Sequence, residues 1–483
     1  MQALNAFHDI VWGAPGLILI LGTGIYLTVV TGFAQVRLFP AAVRRFARVL
    51  RGTKEKKNGI SPFQALCTAL AATVGTGNLV GVAGAICLGG PGAIFWMWVC
   101  GFVGMATKFA EATLAVRYRV RQGTEYAGGP MYMIRQGMGK KFHFLAWIYS
   151  FLGVAAAFGV GNATQINAVV TGVNNVLVRF GGQISTRGNL LMGLILAVLI
   201  GAALLGGAKR IGQTAEKLVP FASVCYIVLC LAVLVLRADA VPGAFRAMIQ
   251  GAFSPRAVTG GAIGSAFRAI SVGCARGVFT NEAGMGTASI AHASAEVFHP
   301  AEQGLMGIME VFLDTIVICT MTALAILCSG VTVPYGRDVG GDLTTEAFTA
   351  VCGDWVSLFL SAFLTCFAFA TVLGWGLYGA RCGEYLLGPG AWKGFAAVQT
   401  AAVVLAAVMK TQTVWQLAET VNGLMAIPNL IALLWLSPEL MRLTKEYMHG
   451  GNAANGGTYA DIHQRQPMRT LSDAEIPPSG GGR

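Results

Sequence analysis

Two polar, glycine-rich segments interrupt long apolar stretches and carry residue types suited to binding a small charged molecule. The first is ATVGTGN (residues 72–78), inside the apolar residues 63–88, and the second is GCARGVFTNEAG (residues 273–284), inside 261–292. A helix in lipid satisfies its own backbone polar groups, so irregular backbone at membrane depth persists only where it lines a protected cavity. Paired interruptions of this kind indicate the binding site of a secondary transporter.

The composition places most of the chain in a membrane. Hydrophobic residues make up 55% of the 483 residues and charged residues only 12%, whereas soluble domains carry about 25% charged residues. The mean hydropathy is +0.63. The net charge of +12 lies mostly in short segments between apolar runs, which is typical of membrane topology and not of a nucleic-acid-binding surface. We therefore expect a polytopic, all-α protein in the lipid bilayer, with no nucleic acid partner.

Apolar windows long enough to cross a bilayer predict eleven transmembrane helices. These spans cover residues 13–32, 63–88, 92–116, 143–177, 189–207, 218–236, 261–292, 304–330, 354–380, 394–408 and 415–437. If the N-terminus is outside, 24 of the 34 Lys and Arg residues lie in inner segments and 7 in outer segments. The positive-inside rule then predicts a multi-pass protein of the inner (plasma) membrane, with the N-terminus outside and the C-terminus in the cytoplasm.

The interrupted spans are the second and the seventh, so two sets of five spans each begin with a broken helix. Because five is odd, the second set inserts upside down relative to the first, which is an inverted repeat. The predicted parts are an extra N-terminal helix (1–32), a first repeat (63–236), a second repeat (261–437) and a cytoplasmic tail (438–483) whose end is disordered. Close helix packing at glycine is the alternative explanation of either interruption.

Other chemistry finds little support in the sequence. The eleven cysteines include no C-x-x-C pair, and the six histidines have no zinc-ligand spacing. There is no Ser/His/Asp order and no P-loop. We expect no cofactor and no enzymatic activity.

Several separated motifs resemble the alanine or glycine:cation symporter family. They are AATVGTGNLVGVA (71–83), GGPG (89–92), KFAE (108–111), GGPM (128–131) and FTNEAGMG (279–286), followed by AH (291–292). The resemblance runs from about residue 10 to 440. It implies a five-plus-five core of the leucine-transporter type behind one extra helix. It also implies sodium-coupled, or in some members proton-coupled, uptake of a small neutral amino acid such as alanine or glycine.

A zwitterionic amino acid needs partners for both of its charges. The half-helix after the first break presents unpaired N–H groups and a positive dipole end. We assign the substrate carboxylate to the N–H groups of Thr76 and Gly77, with the Thr76 hydroxyl and Asn78 assisting. This placement agrees with the resemblance of the segment to leucine-transporter-type proteins.

The ammonium is expected to meet carbonyl groups freed by the second break, around residues 274–279, together with Gln165 and Asn281. Hydrogen bonding between helices is the alternative role of these amides. Phe279 and Trp375 are predicted to close the pocket around a small side chain.

Sodium requires hard oxygen ligands, and the sequence has no carboxylate cluster at EF-hand spacing. We expect the carbonyl groups of Ala71 and Val74 and the hydroxyl of Thr371 to bind it. The fold that the resemblance implies often carries two adjacent hydroxyl residues on this helix, whereas here the neighbour is Ala370.

Ionisable residues inside membrane spans are energetically unfavourable, so those that are present usually have a functional role. Lys108 and Glu111, three residues apart, are predicted to neutralise each other. A second network around the seventh span is predicted from Arg276, Glu282, Glu310 and Asp314. A channel or uniporter remains the alternative to a symporter, since it can also use broken helices.

Overall fold

The computed structural model describes residues 11–51, 59–123, 125–337, 339–409 and 412–450, with the side chains of 412–415 left out. The predicted disordered end of the tail lies outside these residues. The described chain is mostly helical, and its two strands, β1 (Val120–Gln122) and β2 (Glu125–Ala127), form a short antiparallel hairpin.

Among the residues that the structure describes, eleven α-helices with defined bounds lie in the first half of the chain. They are α1 (Ala14–Val30), α2 (Ala34–Arg37), α3 (Phe39–Leu50), α4 (Pro62–Thr73), α5 (Val82–Gly89), α6 (Gly92–Arg117), α7 (Pro130–Gly137), α8 (His143–Phe158), α9 (Thr164–Arg179), α10 (Thr186–Leu205) and α11 (Gly207–Leu236). Wider π-helical turns lie at Gly77–Gly81 and Gly159–Ala163, and a 3₁₀ turn lies at Lys140–Phe142.

Eleven more of the described α-helices lie in the second half of the chain. They are α12 (Val241–Phe253), α13 (Pro255–Thr259), α14 (Ala266–Asn281), α15 (Thr287–Ala293), α16 (Pro300–Val311), α17 (Thr320–Cys328), α18 (Gly341–Cys352), α19 (Val356–Leu387), α20 (Ala391–Val408), α21 (Gln412–Trp435) and α22 (Ser437–Gly450). A 3₁₀ turn at Ala238–Ala240 precedes α12, and a π-helical stretch at Phe312–Cys319 joins α16 to α17.

Eight helices of the described residues are long and apolar enough to cross a membrane, and a bent pair forms a ninth candidate. The bent pair is Pro62–Thr73 with Gly77–Gly89, at 49°. The predicted fourth span is one 40-residue helical unit, Lys140–Arg179, which contains the π-helical turn between α8 and α9. The polytopic all-α class is therefore confirmed, whereas the count of eleven spans stays a prediction.

The N-terminus of α4 is fixed by a local sequence signal. The Ser61 side chain accepts a hydrogen bond from the Gln64 N–H at 3.1 Å, and the Gln64 side chain accepts one from the Ser61 N–H at 3.1 Å. This capping box, with Pro62 in the first helical turn, satisfies donors that a helix start leaves unpaired. The sequence thus determines where the first broken helix begins.

Packing brings the two broken helices side by side. Helix α6 contacts α14, α15 and α16, and α4 packs against α15 while α5 packs against α14. On the other side, α19 contacts α4, α8, α9 and α11. The breaks after α4 and α14 therefore lie in the middle of the bundle, between α6 and α19.

Candidate functional site

The first break opens the backbone at residues 74–76. Helix α4 ends at Thr73, and Val74 is extended, with φ −78° and ψ 99°. The Asn78 side-chain oxygen accepts a hydrogen bond from the Gly75 N–H at 2.9 Å. Thr76 and Gly77 begin the next helical turn, so their N–H groups are donors of a helix N-terminus. The predicted interruption of this span is confirmed.

The second break lies later than the sequence suggested. Helix α14 is continuous through Asn281, and the irregular backbone spans residues 282–286. Glu282, Gly284 and Gly286 adopt positive φ values of 54°, 96° and 77°. The expectation that carbonyl groups between 274 and 279 are freed for an ammonium is therefore wrong for most of that range. The carbonyls at the end of α14, residues 279–281, lie beside the break instead.

The two glycines that suggested an earlier break serve helix packing. A β-carbon built on Gly273 would lie 2.3 Å from the Ala93 carbonyl oxygen, and one built on Gly277 would lie 3.2 Å from the Cys100 β-carbon. Gly273 and Gly277 are four residues apart, so both lie on the face of α14 that approaches α6. In this part of the span the packing alternative was correct.

A carboxylate from α6 stabilises the second break. One Glu111 oxygen accepts hydrogen bonds from the N–H groups of Gly284 at 2.9 Å and Gly286 at 3.0 Å, and from the Asn429 amide at 2.7 Å. Buried backbone donors require such partners. Within the described residues the Lys108 ammonium makes its direct ion pair with Glu310 rather than with Glu111, and Glu111 serves the broken backbone.

Lys108 pairs with α16 instead. Its ammonium donates to one Glu310 oxygen at 3.0 Å, and the other oxygen lies 2.9 Å from His292 Nε2. The Gln303 amide lies 2.7 Å from His292 Nδ1. All four side chains are buried. The network ties α15, which follows the second break, to α6 and α16.

Two asparagines bridge the broken helices through one acidic residue. The Asn78 amide donates to the Asp314 carboxylate at 2.7 Å, and the Thr315 hydroxyl donates to the same carboxylate at 2.9 Å. The Asn281 amide donates to the Thr315 hydroxyl at 3.1 Å, and its side-chain oxygen accepts from the Ala283 N–H at 2.9 Å. Asn78 and Asn281 thus hold the breaks, and Asp314 and Thr315 join them.

The predicted second network is divided into separate parts. Glu310 belongs to the Lys108 pair, Asp314 to the asparagine bridge, and Glu282 accepts a hydrogen bond from Thr287 at 2.6 Å. Arg276 lies 3.7 Å from Glu419. Arg276 lies on α14, Glu282 in the break, Glu310 on α16 and Asp314 in the π-helical stretch, and each takes a different hydrogen-bond or ion-pair partner.

Predicted substrate and cation groups converge at the first break. The Thr371 hydroxyl lies 2.9 Å from the Ala71 carbonyl oxygen. A β-carbon built on Gly75 would lie 2.7 Å from that hydroxyl and 3.6 Å from the Gln165 side-chain oxygen. This Gln165 oxygen is buried and has no hydrogen-bond partner within the described residues, whereas its amide nitrogen donates to the Val160 carbonyl at 3.2 Å. The cleft beside Gly75 therefore holds an acceptor without a donor.

Trp375 lies in this region, but Phe279 does not lie against it. Trp375 is fully buried. A β-carbon built on Gly161 would lie 2.2 Å from the Trp375 β-carbon, so the π-helical turn of the fourth span packs directly on this residue. The Phe279 ring instead contacts Trp12, with centroids 5.9 Å apart. Because α14 stays helical through Asn281, Phe279 faces Trp12, which precedes α1, and Thr280 faces Gly77.

A cavity of about 610 Å³ opens beside the π-helical turn that follows the first break. Its lining includes Leu79 of that turn, Gly172 of α9 and Leu364 of α19. The Thr344 hydroxyl of α18 donates to the Leu79 carbonyl at 2.8 Å. Helix α18 thus covers one side of this cavity and is tied to the π-helical turn.

The sequence did not assign roles to Glu111 at the break, to Thr315 or to His292. Their signal was present, since polar and ionisable side chains on an apolar span usually have a function. What was absent was the identity of their partners, which come from other helices.

A sequence model of the sodium:alanine symporter family matches residues 1–458. The chain belongs to the sodium:alanine symporter family. It is accordingly a multi-pass transmembrane amino acid symporter and not an enzyme.

Two curated relatives match this chain over about nine tenths of its length. The sodium/alanine symporter AgcS of Methanococcus maripaludis is 43% identical over 459 residues, covering 92% of this chain and 97% of the relative. The probable sodium/glutamine symporter GlnT of Bacillus subtilis is 38% identical over 447 residues, covering 91% and 89%.

A solved structure supports the fold. MhsT in complex with L-phenylalanine superimposes with a TM-score of 0.55 at 15% identity, covering 80% of this chain and 99% of that chain. At this identity the likeness concerns the fold alone. The symporter described here therefore has a neighbour of known fold across four fifths of its length.

Proposed function

We propose that this symporter imports alanine or glycine together with sodium, by alternating access across the inner membrane. In this proposal eleven spans cross the bilayer, with the N-terminus outside and the C-terminus in the cytoplasm. Spans two to six and seven to eleven form an inverted five-plus-five repeat. The 43% identical relative is named a sodium/alanine symporter, and the family carries the same description.

The observation that carries the substrate assignment is the complementarity of the first break to a zwitterion. The N–H groups of Thr76 and Gly77 are donors for a carboxylate at a helix N-terminus. The buried Gln165 oxygen, 3.6 Å from a β-carbon position on Gly75, is an acceptor for an ammonium. A buried acceptor without a donor is expensive, and a bound ammonium removes that penalty. The carbonyls at the end of α14 are further acceptors.

The space at the site favours a small substrate. The β-carbon position on Gly75 is only 2.7 Å from the Thr371 hydroxyl, so the backbone itself forms one wall. In this proposal Trp375, which is fully buried and packed against Gly161, forms another wall. A methyl group or a hydrogen fits such a pocket better than a longer side chain. A glutamine side chain, suggested by the GlnT relative, requires a larger opening.

The sodium assignment rests on oxygen atoms released at the same break. The Ala71 carbonyl accepts a hydrogen bond from the Thr371 hydroxyl at 2.9 Å. The Val74 carbonyl lies just after the end of α4, where the backbone becomes extended. A cation replaces that hydrogen bond by accepting lone pairs from both oxygens. These are the hard oxygen donors that a small cation prefers. Because the same break serves carboxylate and cation, binding of one favours binding of the other.

Proton coupling is the alternative, and Asp314 is the observation that favours it. This carboxylate is fully buried and bridges the two broken helices through Asn78 and Thr315. A protonated Asp314 carries no charge, whereas an ionised one adds a charge that a cation must balance. Proton uptake by Asp314 would therefore change the hydrogen bonds that join the two breaks.

Uptake by purified protein in liposomes tests the function. We expect concentrative uptake of labelled alanine or glycine driven by an inward sodium gradient, and none from a proton gradient alone. Unlabelled alanine, glycine and serine should compete more strongly than glutamine or leucine. Uptake driven by protons and lost in Asp314→Asn would support the alternative. Equilibrating uptake that ignores both gradients would identify a uniporter and contradict the proposal.

A further inference from the structure

The outer face of the bundle carries a groove of about 610 Å³ that contains no residue of either break. It lies between α10, α11 and α19, and its apolar walls include Leu199, Phe221 and Phe369. The Leu199 and Phe221 side chains are 52% and 65% exposed, on helices apolar enough to cross a bilayer. The groove therefore faces the lipid phase of the membrane.

One end of the groove is basic. Arg210 and Lys217 of α11 line it, and Thr214 lies between them. With 3.6 residues per turn these positions share one face of α11 with Phe221, whereas Glu216 lies about 100° around the helix from Lys217. Both cations are exposed. Within the part of the chain that the structure describes, neither cation forms an ion pair.

The basic and apolar parts are separated by the depth of one leaflet. From Arg210 to Phe221 the helix rises about 16 Å, roughly half of the ~30 Å hydrocarbon core of a bilayer. The basic end begins three residues after the start of α11 at Gly207, beside its short connection to α10. A connection between two spans lies at the membrane surface. The cations therefore lie at headgroup level and the apolar wall lies at acyl-chain depth.

We propose that this groove binds one anionic phospholipid, whose phosphate accepts hydrogen bonds from Arg210 and Lys217. One acyl chain lies along Leu199, Phe221 and Phe369. The guanidinium fork suits a phosphate, and basic pockets between membrane helices select anionic headgroups. A zwitterionic lipid carries an additional ammonium group, which the positive charges of Arg210 and Lys217 repel. The inference does not depend on which amino acid or cation is transported.

The bound lipid contacts the helix that holds the proposed sodium ligand. Phe369 lies in the groove, and Thr371, two residues further along α19, contacts the Ala71 carbonyl on the opposite side. Lipid in the groove therefore packs against the outer face of α19 at the level of the first break. A ligand of the folded state also raises its stability by mass action.

The test compares lipid binding by the full chain and two charge-matched variants, using native mass spectrometry and thermal unfolding in detergent. The probes are phosphatidylglycerol, phosphatidylcholine of the same acyl chains, and inorganic phosphate. The test variant is Arg210→Gln with Lys217→Gln. The control variant is Lys209→Gln with Lys393→Gln, which removes two exposed cations that do not line the groove.

We expect one phosphatidylglycerol to bind and to raise the unfolding temperature of the wild type and the control. The test variant should lose about 25-fold in affinity, at about fivefold for each cation. Phosphatidylcholine should bind more weakly, and inorganic phosphate should not reproduce the stabilisation. Equal binding of the two lipids, unchanged affinity in the test variant, or full stabilisation by phosphate would overturn the proposal. A mass increase equal to a second copy of the chain would also overturn it.

Discussion

The unpaired oxygen of Gln165 gives the sharpest test of the substrate site. Its side-chain nitrogen donates to the Val160 carbonyl at 3.2 Å, and its buried oxygen faces the first break at Gly75. Gln165→Met keeps the length of the side chain but removes the acceptor. A hydrogen bond to a charged group contributes about 1.5–3 kcal/mol, so alanine or glycine affinity should fall about 10- to 150-fold at saturating sodium.

The same change should leave the stability of the substrate-free protein nearly intact. It removes the hydrogen bond to Val160, which contributes about 1 kcal/mol, and a long one at 3.5 Å to the Thr164 hydroxyl. It also removes a buried oxygen without a partner, which offsets that loss. Equilibrium binding of labelled alanine or glycine, measured beside thermal unfolding without substrate, separates the two effects. If the Gln165 amide had only a structural role, the substitution should lower the unfolding temperature strongly and change substrate affinity little.

Gln399 is the matched control within the same chain. It is fully buried, its amide nitrogen donates to the Ala157 carbonyl at 3.3 Å, and its oxygen also lacks a partner within the described residues. Gln399 lies on α20, and its hydrogen bonds join it to Ala157 and Asn162 of the fourth span rather than to a residue of either break. Gln399→Met should therefore keep wild-type substrate affinity. If Gln165→Met also keeps it, or if both variants lose it equally, the assignment of Gln165 to the ammonium is refuted.

Four further predictions concern the cation, the pocket, the break and the tail. Thr371→Ala should raise the sodium concentration for half-maximal uptake at least several-fold, and Thr371→Ser should restore it; unchanged sodium dependence would remove Thr371 from the site. Trp375→Ala should admit larger neutral amino acids and weaken alanine or glycine uptake about 10-fold or more, as competition assays would report. Gly75→Val should abolish substrate binding because the new side chain enters the cleft. Gly77→Val should abolish binding and also lower the unfolding temperature, because its β-carbon would lie 3.1 Å from a Thr280 methyl group. Hydrogen bonds from Arg442, with a smaller contribution from Arg117, lower the pKa of Glu439 to about 2. The stability that this carboxylate contributes should therefore be constant above pH ~4.5 and disappear between pH ~4.5 and 2. Unfolding of Glu439→Gln and of the wild type across that range measures the difference.

The first broken helix shows how far local sequence can determine a site. Ser61 and Gln64 fix its beginning, and Gly75 and Gly77 mark the place where it opens. Asn78 then caps the opening from three residues away. Every interaction in this list is within a few residues along the chain. The sequence alone therefore located this break correctly.

The second break shows where local reasoning ends. Gly273 and Gly277 resemble a break in sequence, but they pack against α6, and the helix continues to Asn281. The true break at 282–286 is stable because Glu111, some 170 residues earlier, accepts from Gly284 and Gly286. No pattern within the seventh span carries that information.

The sequence by itself determined that this chain is a membrane protein, where most of its spans lie and that two of them are interrupted. These properties follow from apolar length and backbone chemistry, which act locally. Only the tertiary structure decided that Lys108 pairs with Glu310, that Phe279 contacts Trp12, and that one acidic residue, Asp314, bridges both breaks. Buried polar groups take whichever partner the packing of distant helices brings within hydrogen-bonding distance, and that choice is made in three dimensions.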